Sequence, residues 1–563
     1  MDIRKVHIIL VCIVCFTLTS SKLPGQGGES EREKIDYLVS QYDRPNQPGV
    51  AVSVIRKSEI LYSKGVGEAN LEYGIEINPS TVFHVASVSK QFTAFCIMLL
   101  QADGLLSLDD DVRKYIPELK VKTELITLRH LASHTSGLRE IFDLIQMKGI
   151  ALEDLLTNDE ALEIILRQEN LNFEPGTQYS YCNSGYILLA EVVKRITGKS
   201  FALFAKERIF EPLQMKNTRF KDDATMIIEN KAYSYYPTQD GFRKSLLNFS
   251  LVGSTGLNTT TEDLCKWADN FSTLLIGSKA IFEEMERPNF LESGKRLPYG
   301  LGEETKIYRG LEVVFHGGGD AGYRAYLLRC PDLDFAVVVL GNDQSFNPLD
   351  LAYGILDVFL KEEMDEAPNE TDIPILEAST LQKYVGKYQV FPGLFLDFIA
   401  RGDSLFLKTS GSEDLLYVPY QGDHAFVFPY LPHSKLVFSS DEEGKFQEVS
   451  WHFSDFAYPG KRVVFNTFDK RQIDFTEFEG LFYSSELETS YRFEVDEAGT
   501  LTANHHKIGR FAYEAVQNDF FISNYGFVGG LAFLRDEKGK IIGCHISGQD
   551  AHKVFFKKQV CGQ

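Results

Sequence analysis

Apolar and polar residues alternate along "VAVSVIRKSEILYSKG" (Val50 to Gly65), on both sides of a polar turn. A period of two predicts a β-hairpin there. "KQFTAFCIMLLQADG" (Lys90 to Gly104) is apolar on nearly every side and stops at glycine, the pattern of a helix buried inside a domain. "SGYILLAEVVKRITG" (Ser184 to Gly198) predicts a second helix with a glycine stop. "GYRAYLLRCPDLDFAVVVLGN" (Gly322 to Asn342) reads as two strands joined by a Pro-Asp turn. Strands at both ends with helices between predict an α+β domain, an antiparallel sheet carrying helices, over residues 29–363.

The pattern changes after "KEEMDEAPNETDIP" (Lys361 to Pro374), which is acidic, non-periodic and proline-bearing; residues 364–374 read as a linker. Beyond it, short strands rich in Phe, Tyr and Val alternate with Gly, Asp and Asn turns. This tail repeats itself. "LVFSSDEEGKFQEVSWHFS" at Leu436 resembles "LAFLRDEKGKIIGCHISG" at Leu531, 95 positions later, and "YVGKYQV" at Tyr384 resembles "FEGLFYS" at Phe478, 94 positions later. The matching offsets indicate a duplicated unit. Evenly spaced strands without a helix predict two small antiparallel, lipocalin-like β-barrels, over 375–468 and 469–563.

At the N-terminus, Arg4 and Lys5 precede an apolar run from Val6 to Leu18 and then polar residues. That order reads as a signal peptide within residues 1–26, and the run is short for a membrane span. The expected location is the periplasm or the exterior. Cys12 and Cys15 lie within the run rather than at a lipoprotein cleavage box, which leaves lipid anchoring as a lesser alternative. The other six cysteines are widely spaced with no C-x-x-C, which argues for buried thiols over a metal site. Cys544 with Cys561 is the one pair placed as a disulfide candidate.

The 563 residues are 44% hydrophobic and 24% charged, with a formal net charge of −21. This is a folded composition, and its field repels phosphate backbones, so nucleic acid is not an expected partner. No cofactor is called for, and oligomeric state is not legible.

Ser87 and Lys90 form Ser-x-x-Lys at the start of the first buried helix. One turn apart, they share a helix face. A serine needs a base to become a nucleophile, and a lysine becomes one when burial lowers its pKa. A helix cap followed by a solvated lysine gives the same spacing, and a chain this long holds roughly two such pairs by chance. Two further patterns weigh toward chemistry: Tyr181-x-Asn183, just before the second helix, and His316-Gly317-Gly318 at the end of a strand. His130 and His134 form H-x-x-x-H but lack the glutamate and third ligand of a zinc site, so no metal is expected. His505 and His506 read as surface residues, Trp267 and Trp451 as core.

With those motifs in that order, and with "FHVASVSKQFTA", "ITLRHLASHTSGL" and "FEPGTQYSYCNSGYILL" around them, the region from Gly49 to Asn342 resembles the serine β-lactamases and penicillin-binding proteins, in particular their class C branch. The resemblance implies a β-lactamase/transpeptidase-like fold and an acyl-enzyme on Ser87. Lys90 and Tyr181 would share the general-base work, and Asn183 would bond Lys90 and the substrate. His316 would orient Tyr181 or, when protonated, bind a carboxylate. Gly317 and Gly318 would let substrate lie along the strand, and the backbone N–H groups of Ser87 and Gly319 would form the oxyanion hole. His316 stands where many relatives carry lysine, and Cys182 where a smaller residue is usual. D-aminopeptidases of this family share the plan of a catalytic domain followed by two barrels, with a barrel loop helping to shape the pocket. The implied function is a peptidase or amidase on D-amino-acid peptides, such as peptidoglycan fragments. An esterase or a weak β-lactamase stays open, as does a protein that binds penicillin-like or wall-derived ligands without turnover.

Overall fold

The computed structural model describes residues 30–366, 376–410, 412, 414–428, 434–453, 456–465 and 473–559. The segment read as a signal peptide, most of the segment read as a linker, and Cys561 lie outside them. Cys544 is a free buried thiol.

Six antiparallel strands make the central sheet: β1 (Val50–Arg56), β2 (Glu59–Val66), β3 (Glu304–Tyr308), β4 (Leu311–Asp320), β5 (Tyr323–Cys330) and β6 (Phe335–Gly341), in the order β3-β4-β5-β6-β1-β2. The first hairpin turns at Lys57 and Ser58, both with positive φ (49° and 64°), as a two-residue turn between right-twisted strands requires. One face of the sheet packs Val50, Val52, Val337 and Val339 against α1 (Glu31–Ser40) and α4 (Pro348–Phe359). The other face packs on a larger helical layer containing α2 (Ser89–Ala102) and α3 (Asn183–Thr197). Helix α3 stops where Gly198 takes a left-handed conformation at φ 70°.

Helix α2 is buried on nearly every side. Trp267 fixes it from behind: fully buried, the indole donates to Gln91 Oε1 at 2.9 Å and meets the Phe92 and Phe95 rings at 4.5 and 5.2 Å. Aromatic contacts of this kind add about 0.5–1.5 kcal/mol each to the burial itself. A helix held this firmly gives its first turn a fixed position.

The duplicated tail forms two different sheets. Gly386–Val463 carries a nine-stranded antiparallel sheet that does not close among the described residues, and Gly480–Lys558 carries a closed eight-stranded barrel. The repeat is visible in its turns. Asp441 N–H donates to Lys445 O at 2.8 Å, and Asp536 N–H donates to Lys540 O at 2.9 Å, 95 positions on. No helix among the described residues is long and apolar enough to cross a membrane.

The closed barrel docks on the helical layer. Arg139, buried at its base, donates to Glu486 at 2.6 Å, to Gln168 at 2.9 Å and to the carbonyls of His552 and Lys553. His505, expected at the surface, is buried in this interface. It bonds Thr489 Oγ1 at 2.7 Å and packs on the Tyr491 ring, while Gly149 of the helical layer lies so close that an added Cβ would stand 2.3 Å from its imidazole. His505 is the last residue of its strand (Leu501–His505) and points inward, whereas His506 opens the turn that follows and is exposed.

Candidate active site

Ser87 sits in a one-turn 3₁₀ helix, Ala86–Val88, that leads directly into α2. Ala86 before it has φ 46°, a left-handed conformation that costs an alanine energy and that the surrounding structure must hold in place. Val85 N–H donates to Leu257 O at 3.0 Å, anchoring the turn from outside.

Lys90, in the first turn of α2, is fully buried. Its Nζ donates to Ser87 Oγ at 3.0 Å, Asn183 Oδ1 at 2.7 Å and Ser254 O at 2.8 Å. Three acceptors satisfy the three donors of an ammonium. Burial brings the Lys90 pKa down to about 7, against the opposing pull of the Glu140 and Asp320 carboxylates. Near neutral pH the amine is therefore available in its neutral form beside the Ser87 hydroxyl.

Tyr181 and Asn183 reach the site from the start of α3. Lys90 Nζ lies 4.8 Å from the Tyr181 ring centre. Burial pushes the Tyr181 hydroxyl well above the usual phenol range, with Ser87 opposing, so the side chain keeps its proton at neutral pH. Asn183 is held by Glu140, whose carboxylate accepts from Asn183 N at 2.5 Å and from Nδ2 at 2.9 Å. With the amide nitrogen so committed, Oδ1 faces Lys90. Glu140 belongs to none of the motifs, and only the folded structure shows its part.

His316 is drawn elsewhere than expected. Its Nδ1 donates to Gly317 O at 2.6 Å, which leaves Nε2 to accept from Tyr299 Oη at 3.0 Å. Burial and the nearby Lys90 bring its pKa down to about 3. The imidazole is neutral, fixes Tyr299 instead of Tyr181, and carries no charge for a carboxylate. Tyr299 was invisible to motif reading because it lies in an irregular segment.

The end of β4 runs past the Ser87 turn. Strand β3 pairs only as far as Phe315, so His316 to Asp320 bond β5 on one side and leave the other edge open to the site. Gly318 faces the Ser87 turn itself: an added Cβ would stand 2.3 Å from Val85 O and 3.1 Å from Ser87 N. At Gly317 the same addition meets only ordinary contacts. Gly318 thus lets the strand approach the Ser87 turn, and Gly318→Ala is expected to lower Ser87 acylation by about 10²-fold, as small displacements of reacting groups do. Labelling rates with a fluorophosphonate measure this. An unchanged rate would mean the strand and turn move apart freely.

The closed barrel reaches this site through its loop from Gly548 to His552. Glu140 N–H donates to Asp550 O at 3.0 Å, Ser180 Oγ donates to Asp550 Oδ1 at 3.1 Å, and Asp143 accepts from the N–H groups of Asp550 and Ala551. Burial raises the Asp143 carboxyl to about 8 and the Asp550 carboxyl to about 7. His130 caps its own short helix. No group of three metal-ligating side chains occurs among the described residues.

A family model described as Beta-lactamase matches residues 35–358. A D-aminopeptidase of Gluconobacter oxydans (strain 621H) is 32% identical over 305 residues, covering 53% of this chain and 56% of the relative. The match thus spans little more than half of that relative's length. Among solved structures, the octameric penicillin-binding protein homologue from Pyrococcus abyssi aligns over 85% of this chain and 98% of its own, at 21% identity and TM-score 0.53. The D-amino acid amidase of Ochrobactrum anthropi SV3 complexed with D-phenylalanine aligns over 59% of this chain and 99% of its own, at 21% identity and TM-score 0.51.

Proposed function

The chain belongs to the Beta-lactamase family, and from that premise we propose that it is an exported peptidase or amidase acting on D-amino-acid-containing peptides through an acyl-enzyme on Ser87. It is a serine hydrolase of that family. The observation that carries the chemistry is Lys90, buried, 3.0 Å from Ser87 Oγ and with its pKa brought down to about 7.

In this reading the neutral amine of Lys90 takes the Ser87 proton as Oγ attacks the acyl carbon. The N–H groups of Ser87 and Gly319 receive the oxyanion, whose stabilisation by such donors is worth a few kcal/mol. Tyr181, still protonated, passes its proton to the leaving amine and regains one from the Lys90 ammonium. Water then enters by the reverse relay and releases the acid. Asn183 keeps Lys90 in place, and the open edge of β4 gives an extended peptide a strand to lie against.

The D-amino-acid substrate class is supported by the similarity to a D-aminopeptidase across the catalytic region. It is also supported by the Glu304 charge on the Tyr181 side, which acts on Tyr179 and Tyr181. Negative charge there suits a free amino terminus. The apolar run from Val6 to Leu18 supports export.

Hydrolysis of D-alanyl and L-alanyl p-nitroanilides tests the reading. The D-anilide is expected to turn over about tenfold faster or more, within what one well-placed set of contacts discriminates, and Ser87→Ala should cleave neither. Equal rates on both enantiomers would remove the D-specific reading. A lasting adduct with benzylpenicillin and no turnover of either anilide would identify a binding protein.

A further inference from the structure

His134 is buried beside Tyr181 and belongs to none of the groups assigned above. Its backbone carbonyl accepts from Ser180 N at 3.0 Å, and its Nδ1 accepts from Cys182 N at 3.0 Å. The two residues flanking Tyr181 are therefore both tied to this one residue. The imidazole also lies against the Tyr181 ring, with centroids 4.2 Å apart and planes 31° apart, and meets Tyr299 at 4.5 Å and 68°.

Two observations set His134 apart from a space-filling aromatic. It has φ 59°, a left-handed conformation rare for non-glycine residues. With Nδ1 accepting, the proton of the neutral ring is on Nε2, and that buried atom has no hydrogen-bond partner. A buried donor left unpaired costs about 1–3 kcal/mol. A phenylalanine would fill the space but leave the buried Cys182 N–H unpaired instead, so what the imidazole supplies and an apolar ring cannot is the acceptor nitrogen. Burial, together with Lys90 and His316, holds the imidazole pKa well below its ordinary value, which keeps Nδ1 free to accept.

We propose that His134 is a positioning residue for acyl transfer, clamping the backbone on both sides of Tyr181 and stacking on its ring so that the phenol stays aimed at Ser87 and Lys90. This rests on the acyl-transfer reading above. It predicts which atom matters. Asparagine places Oδ1 close to where Nδ1 stands and tolerates positive φ. Phenylalanine keeps the ring and loses the acceptor. Glycine loses both and suits the backbone.

The test compares wild type with His134→Asn, His134→Phe and His134→Gly. Phenylalanine and glycine are expected to lower kcat by about 10²-fold with KM within about twofold, as misplacement of a reacting group does. Asparagine should recover to within about tenfold of wild type, since it restores the acceptor that positions Tyr181. The acid limb set by Lys90 should persist in all. Amide exchange of the Ser180–Asn183 segment, read by mass spectrometry, should quicken in the Phe and Gly variants and stay slow in the Asn variant. If asparagine is as impaired as phenylalanine, or if the Phe and Gly variants keep wild-type kcat, the proposal is wrong. Should the wild type show no acyl transfer, the functional reading falls, and the exchange measurement alone decides the clamp. Equal exchange in wild type and the Phe and Gly variants would overturn it. If the Phe variant does not fold, the glycine variant carries the comparison.

Discussion

Lys90→Met is expected to lower the rate of Ser87 acylation by roughly 10²–10⁴-fold, the usual contribution of a positioned general base. Methionine nearly matches the length of the lysine side chain but removes the amine that lies 3.0 Å from Ser87 Oγ. In the wild type, acylation should rise with pH through about 7 and then level, because the base acts only when Lys90 is neutral. The same pKa shift has a stability sign. Unfolded, Lys90 binds its proton near 10.5; folded, near 7. The cost of burying the charged form is fully present below about pH 7 and is relieved as pH rises toward 10.5. A shift of that size corresponds to roughly 5 kcal/mol. Lys90→Met removes this cost but leaves Ser254 O and Asn183 Oδ1 without their donor, which offsets part of the gain. The variant should melt no lower than wild type at pH 7 while being nearly inactive. A fluorophosphonate labelling rate and a melting curve check both halves. A variant that labels at the wild-type rate would mean that another base serves Ser87.

The second large effect lies away from the chemistry. Arg139→Met should destabilise the protein by about 3–5 kcal/mol, the typical cost of breaking a buried ion pair from one side. Arg139 is 2% exposed and Glu486 7%, so removing the guanidinium leaves a carboxylate with almost no water to receive it. The carbonyls of His552 and Lys553 lose their donors at the same time. Activity should fall as well. Glu140, the next residue, donates its N–H to Asp550 O in the barrel loop and holds Asn183 by its carboxylate. Releasing the barrel therefore loosens the residue that positions Lys90. Adding Glu486→Leu removes the stranded carboxylate and should recover part of the stability. Denaturant titration separates the outcomes. If Arg139→Met keeps both wild-type stability and wild-type rate, the barrel is docked by other contacts and does not support the site.

The parts that were legible in the sequence are those set by local spacing. Ser87 and Lys90 are three residues apart at the start of a helix, and Tyr181 and Asn183 straddle another helix start, so backbone geometry alone aims each pair. The glycine stops at Gly104 and Gly198 and the polar turn at Lys57–Ser58 were readable for the same reason: each is a conformational demand confined to a few residues. Glu140, Tyr299, Ser254 and Asp550 were not legible, because each enters the site through a contact with a distant part of the chain. His316 shows the limit of motif reading. Its position was foreseen, but its hydrogen bonds depend on Tyr299, which no spacing connects to it. The difference between the two repeats was hidden too. Closure depends on whether the first and last strands of a unit meet, as Phe482 and Lys558 do in the second, and the same alternating pattern serves an open sheet equally well.

The shared core of the helical layer and the closed barrel bears on how the protein is made. Ile145 and Met147 of the one and Tyr491, Phe511 and Ile546 of the other belong to a single continuous apolar cluster, whereas the nine-stranded sheet has a core of its own. During synthesis, Ser87, Lys90 and Asn183 emerge several hundred residues ahead of the segment that completes their support. Until residues 480–558 are released and the barrel closes, the nascent catalytic half has an exposed apolar face and an unanchored Glu140. The support around Ser87 is thus completed late, once residues 480–558 have been delivered and docked.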